Sequence, residues 1–375
     1  MRLALRLARR GYGATSPNPM VGALLVKRGR IIGRGWHHRA GELHAEIEAL
    51  RNARGRGHDP RGATLYVTLE PCSTHGRTPP CTDAIIGARI RRVVAGATDP
   101  NPKHAGRAFG ILRRNGIDVV HGVLGEDCAR LNEAFNHWII QGTPFVTIKA
   151  AMTLDGKIAA ANGESRWITG PQTRAFAMTL RQGADAILVG VNTVLADDPS
   201  LTFRTAVKSP PKNKTPLRRI ILDSMARTPL NAKIARDEFA SRTTIVVSRD
   251  APKTRVAALA ARVNVLVAPR KKSPSRATAR MLDLIWLLKR LGSENVTSLL
   301  VEGGGETNAS FLLSGLAQRV AFFYAPRILG GNDARKAVAG DGITNLADAI
   351  QLRDIEWNRV GDDLAVTARV EPPRE

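Results

Sequence analysis

The chain has 375 residues, more than one ordinary domain holds, so two hydrophobic cores are expected. At 43% hydrophobic residues it reads as a packed soluble protein, and no apolar run reaches the roughly eighteen residues of a membrane-crossing helix. Three cysteines exclude a disulfide framework and argue for a reducing, cytoplasmic setting, while a net charge of +23 attracts anions of any kind.

The basic residues are scattered. Small concentrations in "VKSPPKNKT" and "RKKSPSR" read as solvated loops, and aromatics are only 5% of the chain. Charge without stacking aromatics does not predict a specific nucleic-acid site.

The opening "MRLALRLARRGYG" is Arg-rich and acid-free, as transit peptides are, but Leu3, Leu5 and Leu7 begin an amphipathic helix that runs directly into the next motif. "VGALLV" (21–26) and "TLYVTL" (64–69) are short apolar runs with β-branched members, and "IRRVVAGATD" and "GIDVVHG" resemble them; all four read as buried strands. Between them "HAEIEALRNARG", "CTDAIIGARI" and "AGRAFGILRRNG" carry helical patterns. Such alternation predicts an α/β sandwich around one sheet.

Gly142, Thr143 and Pro144 then break a helix, which sets the expected domains at 1–142 and 145–375. In the second, "FVTIKAAM", "ADAILVG", "RRIILDS", "TTIVVS", "VNVLVA", "SLLVEGGG" and "VAFFYAPRILG" are strand-like, with helices between several of them. No repeat relates the halves.

In "LEPCSTHGRTPPC" (69–81), Cys72 and Cys81 stand with eight residues between them, and "GELHAEIEAL" adds His44. Three protein ligands of this kind leave the fourth tetrahedral position of a zinc ion to water, which is the arrangement of a catalytic site. Glu46 falls off the face that holds His44 and suits a proton carrier. An H-x-E followed by P-C-x-x-C is the pattern of zinc deaminases, and this chain departs from it by setting eight residues between the cysteines where the pattern has two. Cys128 has no partner motif and reads as a buried thiol. "SLLVEGGGETNASFLL" predicts a strand, a glycine turn and a helix capped by Thr307 or Asn308, with backbone N–H groups facing a phosphate. Trp167 reads as core packing, and Asp197 with Asp198 as a capping turn before Pro199.

"EPCSTHGRTPPC", "SPNPMVGALLV", "GRGWHHRAGELHAE" and "TDPNPKHAGRAFGILRRNGIDV" together resemble the deaminase half of the bifunctional riboflavin-biosynthesis deaminase/reductases. "VTIKAAMTLDGKIA", "GESRWITG", "GADAILVGVNTVLADDPSLTFR", "RRIILDSMARTPL" and "LLVEGGGETN" resemble the reductase half. The resemblance implies a cytidine-deaminase-like three-layer α/β/α domain followed by a dihydrofolate-reductase-like α/β domain. It implies zinc on His44, Cys72 and Cys81, with Glu46 as the catalytic acid/base. Asn18, His37, Asp99 and Asn101 would contact the pyrimidine and Arg77 its ribose phosphate.

In the second domain the resemblance assigns NADPH to Ala151, Trp167, Thr193, Asp197, Ser224 and the run Gly304, Gly305, Glu306, Thr307, Asn308, Ala309 and Ser310. Substrate would meet Ser165, Arg181, Leu201, Arg204 and Glu302. The implied reactions are hydrolytic deamination of a diaminopyrimidinone ribosyl phosphate, then NADPH-dependent reduction of its ribosyl group to ribityl, in a cytoplasmic homo-oligomer. Asp155, Lys149 and Glu302 are undistinguished candidates for the proton donor of the second step. Departures from the family pattern are Thr74, where a His is usual and His75 follows, Met178 with Thr179, and Gln318. Two other readings stand beside this one: a tRNA-type base deaminase, and a non-catalytic nucleotide-binding protein.

Overall fold

Two units, Met1–Thr143 and Pro144–Glu375, divide the chain at the Gly-Thr-Pro break. The computed structural model describes residues 1–74, 79–204, 216–269 and 282–372; His75, Arg77 and the basic stretches 207–215 and 270–276 lie outside the described residues.

The first unit begins with α1 (Arg2–Ala8), β1 (Gly22–Lys27), β2 (Arg30–Trp36), α2 (Ala45–Gly55) and β3 (Thr64–Leu69). It continues through α3 (Cys81–Gly87), β4 (Arg92–Ala97), α4 (Arg107–Arg114), β5 (Asp118–Val120), α5 (Gly125–Leu131) and α6 (Glu133–Gln141). The sheet order is β2-β1-β3-β4-β5, with β1 antiparallel to both neighbours and β3, β4 and β5 parallel. Alternation along the strands sends Ala23, Leu25, Leu65 and Val67 to a core shared with α2, α3 and α4, whereas Leu24 and Tyr66 meet Ala4 and Leu7 of α1 on the other face. The result is three layers. On the α1 side α5 lays Cys128 so close to β4 that a Cβ on Gly96 would stand 2.3 Å from its Sγ, and burial pushes that thiol up to about 11.

Strand β2 carried no expectation, because Gly33 and Gly35 break its apolar alternation. The glycines answer a packing demand. A Cβ on Gly33 would lie 2.4 Å from Ala49 O, and one on Gly35 2.2 Å from Ala45 O, so α2 seats directly on the strand backbone.

The second unit runs β6 (Phe145–Thr153), β7 (Lys157–Ala159), α7 (Pro171–Gly183), β8 (Ala186–Gly190), α8 (Val191–Asp197), β9 (Arg218–Leu222), α9 (Lys233–Arg236) and β10 (Thr243–Val247). There follow α10 (Lys253–Ala260), β11 (Asn264–Val267), α11 (Leu284–Ser293), β12 (Ser298–Val301), α12 (Gly305–Leu313), β13 (Arg319–Ala325), β14 (Arg335–Lys336), β15 (Leu352–Val360) and β16 (Asp363–Val370). Among the described residues nine strands form one sheet in the order β11-β10-β9-β8-β12-β6-β13-β16-β15, parallel as far as β13 and antiparallel beyond it. Helices cover both faces: Ala186 and Leu188 of β8 pack toward α11 and α12, while Ile187 and Val189 pack toward α8, α9 and α10.

Several expectations are corrected here. The strand predicted over 320–330 ends at Ala325, and Ile328 beyond it is 75% exposed. The hairpin β15–β16 was not foreseen: β15 lies at the sheet edge with Ile355 and Trp357 both exposed, so no apolar alternation marks it. Helix α12 takes Gly304 as N-cap with no side-chain cap, leaving Thr307 and Asn308 within its first turns. Asp198 does end α8, in a left-handed conformation before Pro199. Trp167 is 61% exposed and is not a core residue. Among the described residues no helix is long and apolar enough to cross a membrane.

Candidate active sites

In the first unit, three element ends converge. His44 is the N-cap residue of α2, Cys72 follows β3, and Cys81 opens α3. Their ligand atoms all lie within 4.8 Å of one another. His44 Nδ1 stands 3.2 Å from Cys81 Sγ and 3.5 Å from Cys72 Sγ, and Cys81 N donates to Cys72 Sγ at 3.2 Å. Zinc with ordinary bond lengths and tetrahedral angles would hold nitrogen and sulfur about 3.5 Å apart, so these donors fit that ion. The two thiols interact strongly. Hydrogen bonding from Cys81 draws Cys72 down to about 4, and the same contact pushes Cys81 up.

Glu46 is 3% exposed in the first turn of α2, and burial, reinforced by Cys72, pushes its carboxyl up to about 7. His37 is buried with its ring edge-on to His44 at 5.5 Å. Its Nδ1 donates to Leu43 O at 3.0 Å, leaving Nε2 to accept from Asn18 Nδ2 at 3.1 Å, and burial lowers its pKa. Asp99, whose pKa burial raises, and Asn101 sit in the loop after β4, where Asp99 Oδ1 accepts Asn101 N at 2.9 Å. Thr74 is exposed; Arg77 lies outside the described residues. Sequence reasoning passed over Glu70. Its buried carboxylate accepts from Asp99 N, Gly106 N and Ala108 N at 3.1, 2.8 and 3.0 Å.

The second unit encloses an open cleft of about 2250 Å³, larger than one small ligand needs. At its floor Glu302, just past β12, accepts from Arg181 Nε at 2.8 Å and Nη2 at 2.9 Å, with Lys149 Nζ 3.7 Å away. Burial opposes ionisation of Glu302, but Lys149 and Arg181 outweigh it and hold the carboxyl at about 2. Arg181 also donates to Thr202 O at 2.9 Å, anchoring the segment that brings Leu201 and Arg204 to the cleft.

The glycine turn lies alongside. Gly304, Gly305, Glu306, Thr307 and Ser310 line the cleft, whereas Asn308 and Ala309 face inward, Asn308 Nδ2 donating to Ala337 O at 2.8 Å. Thr307 fills the space under the turn so tightly that a Cβ on Gly303 would stand 2.4 Å from its Cβ. Ala151, Thr193 and Ser224 line the cleft as well. Also lining the cleft, Ser165 Oγ reaches Asp197 at 3.4 Å, and the Trp167 ring carries the Arg174 guanidinium at 4.5 Å.

Asp155 does not line the cleft. It accepts from Thr153 Oγ1 and from the backbone of Gly330 and Leu329, which holds it down at about 2. Met178 and Thr179 do border the cleft, but Gln318 is spent on β6, accepting Val146 N at 2.7 Å.

Comparison with known proteins matches residues 1–97 to the cytidine and deoxycytidylate deaminase zinc-binding region and residues 144–366 to the RibD C-terminal domain. Riboflavin biosynthesis protein RibD of Actinobacillus pleuropneumoniae is 42% identical over 364 residues, covering 97% of this chain and 93% of that one. The protein of the same name from Escherichia coli (strain K12) is 42% identical over 376 residues, covering 98% and 97%. Among solved structures, Acinetobacter baumannii RibD superposes with a TM-score of 0.86 at 33% identity, over 99% of this chain and 97% of that one. A Thermotoga maritima diaminohydroxyphosphoribosylaminopyrimidine deaminase/5-amino-6-(5-phosphoribosylamino)uracil reductase gives 0.83 at 35% identity, over 99% and 97%.

Proposed function

The chain belongs to the RibD family of bifunctional riboflavin-biosynthesis deaminase/reductases, and on that premise we propose how its own residues divide the two steps. The first unit removes an amino group from a diaminopyrimidinone ribosyl phosphate; the second reduces the ribosyl group of the product to ribityl. The observation that carries this reading is the convergence of His44, Cys72 and Cys81 beside the buried Glu46. Coverage of nearly the whole chain by the family, reductase half included, disfavours a tRNA-type base deaminase and a non-catalytic binding protein alike.

Zinc held by His44 Nδ1 and the two sulfurs would supply activation of the attacking water. Glu46, poised near neutrality, accepts a proton from that water and returns it to the departing ammonia. Neutral His37, fixed by Leu43 O and paired to Asn18, reads the polar edge of the pyrimidine together with Asp99 and Asn101. Arg77 is assigned to the ribose phosphate from the sequence motif alone.

In the second unit NADPH supplies the hydride. The glycine turn, Ala151, Trp167, Thr193, Asp197 and Ser224 hold the dinucleotide; Asn308 and Ala309 support the turn from beneath. Ser165, Leu201 and Arg204 hold the substrate, Arg204 offering a fork for its phosphate. Arg181 gives three of its N–H groups to Glu302 and Thr202 O, so it places Glu302 against the sugar hydroxyls. Reduction at the ribosyl C1 with NADPH bound would break the ring C–O bond and leave that oxygen in need of a proton. Lys149 gives it: Glu302 and Asp155 both sit near 2 and have none to give at neutral pH. The family reading also makes the protein a cytoplasmic homo-oligomer, in keeping with its three free cysteines.

The test is ammonia release from the pyrimidine substrate by zinc-loaded protein, followed by NADPH oxidation. Glu46→Gln should keep its zinc, lose about a hundred- to ten-thousandfold in ammonia release, and oxidise NADPH normally when given deaminated substrate. A zinc-loaded wild type that releases no ammonia would refute the assignment.

A further inference from the structure

Glu70 is a charged side chain, 4% exposed, at the C-terminal end of β3 and two residues before Cys72. Its backbone N donates to Ala97 O at 2.9 Å, which extends the pairing of β3 with β4 by one step. Its carboxylate then turns toward the segment that leaves β4. Oε2 accepts both Asp99 N at 3.1 Å and Gly106 N at 2.8 Å, and Oε1 accepts Ala108 N at 3.0 Å.

These three donors bracket one loop. Asp99 opens it, and Gly106, in a left-handed conformation at φ +81, closes it as the N-cap residue of α4. Within the loop Asp99 Oδ1 accepts Asn101 N, and Asn101 O accepts His104 N at 2.8 Å and Ala105 N at 3.1 Å. Helix α4 has no acidic residue in its first turn and no side-chain cap of its own, so the negative charge at its N-terminus comes from Glu70. A carboxylate can accept at both oxygens at once, which an amide cannot. No apolar side chain of that shape would satisfy those three N–H groups, of which that of Ala108 is buried and those of Asp99 and Gly106 are half-buried.

We propose that Glu70 is a positioning residue of the deaminase site, locking the 99–106 loop, and with it Asp99 and Asn101, to the strand end that delivers Cys72. This rests on the assignment of Asp99 and Asn101 to the pyrimidine. Glu70 neither ligates metal nor carries the proton; it fixes where the substrate's polar edge meets the protein.

The test is Glu70→Gln in the full-length, zinc-loaded protein. The amide fills the same volume but turns an NH2 group toward at least one of the three N–H donors. KM for the pyrimidine substrate should rise about tenfold with kcat within about threefold, because binding is lost and proton transfer is not. Zinc per chain and NADPH oxidation with deaminated substrate should match wild type. Amide exchange over residues 98–108 should accelerate in the variant. An unchanged KM, or a fall in kcat with zinc lost, would overturn the proposal. If the variant does not fold, wild-type exchange decides: fast exchange at Asp99, Gly106 and Ala108 overturns it, and slow exchange there supports it. Failure of wild type to release ammonia would count against the functional assignment instead, and the exchange result would still stand by itself.

Discussion

Replacing Glu302 by Gln removes the central charge from a buried trio. The side chains of Arg181, Glu302 and Lys149 are 10%, 11% and 17% exposed, and two of the three contacts are charge-assisted hydrogen bonds at 2.8 and 2.9 Å. The carboxyl sits at about 2 against an ordinary value of 4.5. A displacement of that size contributes about 3 kcal/mol to folding at neutral pH. Breaking a buried ion pair from one side costs a similar amount, roughly 3–5 kcal/mol. Gln keeps the volume and one acceptor for Arg181, so a loss of about 2–3 kcal/mol is expected.

The pH dependence has a definite sign. A depressed folded-state pKa contributes fully above about 4.5, and the contribution disappears as pH falls through about 2. Wild type should therefore lose stability through that window, the variant should not, and the gap between them should close. Urea unfolding followed by tryptophan fluorescence measures both proteins at neutral pH and at intervals down the acid limb; Trp167, Trp286 and Trp357 report on the second unit. NADPH oxidation should fall in the variant while ammonia release holds. Equal stability at neutral pH, or a gap that persists undiminished in acid, would show that the trio is not the coupled network described.

Gly35→Ala should destabilise the first unit by about 1–3 kcal/mol and lower its zinc content, since the new Cβ meets α2 backbone atoms at 2.2 and 2.4 Å and displaces the helix that carries Glu46 and is headed by His44. Gly55→Ala, with open space around it, is the control in thermal melts and metal analysis. Stripping zinc with a chelator should abolish ammonia release, leave NADPH oxidation with deaminated substrate intact, and be reversed by added zinc; loss of both activities together would contradict separate sites.

What the sequence revealed follows from how locally each feature is encoded. Buried strands such as Ala186–Gly190 are apolar at every position and announce themselves, and His44, Cys72 and Cys81 are legible because few residue types bind zinc. Strand β2 was hidden because its glycines serve a helix packed on top, and β15 because an exposed edge strand has no apolar alternation. Glu70 was missed for another reason: its partners are backbone N–H groups, which every residue possesses and no motif records. Trp167 was misread because a large aromatic ring is as useful on the wall of a cleft as in a core, and only its 61% exposure separates the two. The proton-donor candidates could not be ranked from sequence because what sets them apart is tertiary: Thr153 and the backbone of Gly330 hold Asp155 down at about 2, and Lys149 and Arg181 hold Glu302 down at about 2.

The order of the nine-stranded sheet bears on how the protein is made. Phe145–Thr153 is the first strand of its unit to leave the ribosome, but it belongs between Ser298–Val301 and Arg319–Ala325, which emerge only after most of that unit's other strands. A greasy ribbon with both hydrogen-bonding rims open must wait through most of the unit's synthesis, which favours slow, late assembly and dependence on chaperones. Nascent chains stalled before Ser298 should be the aggregation-prone species, and those released after Val370 the ones that fold.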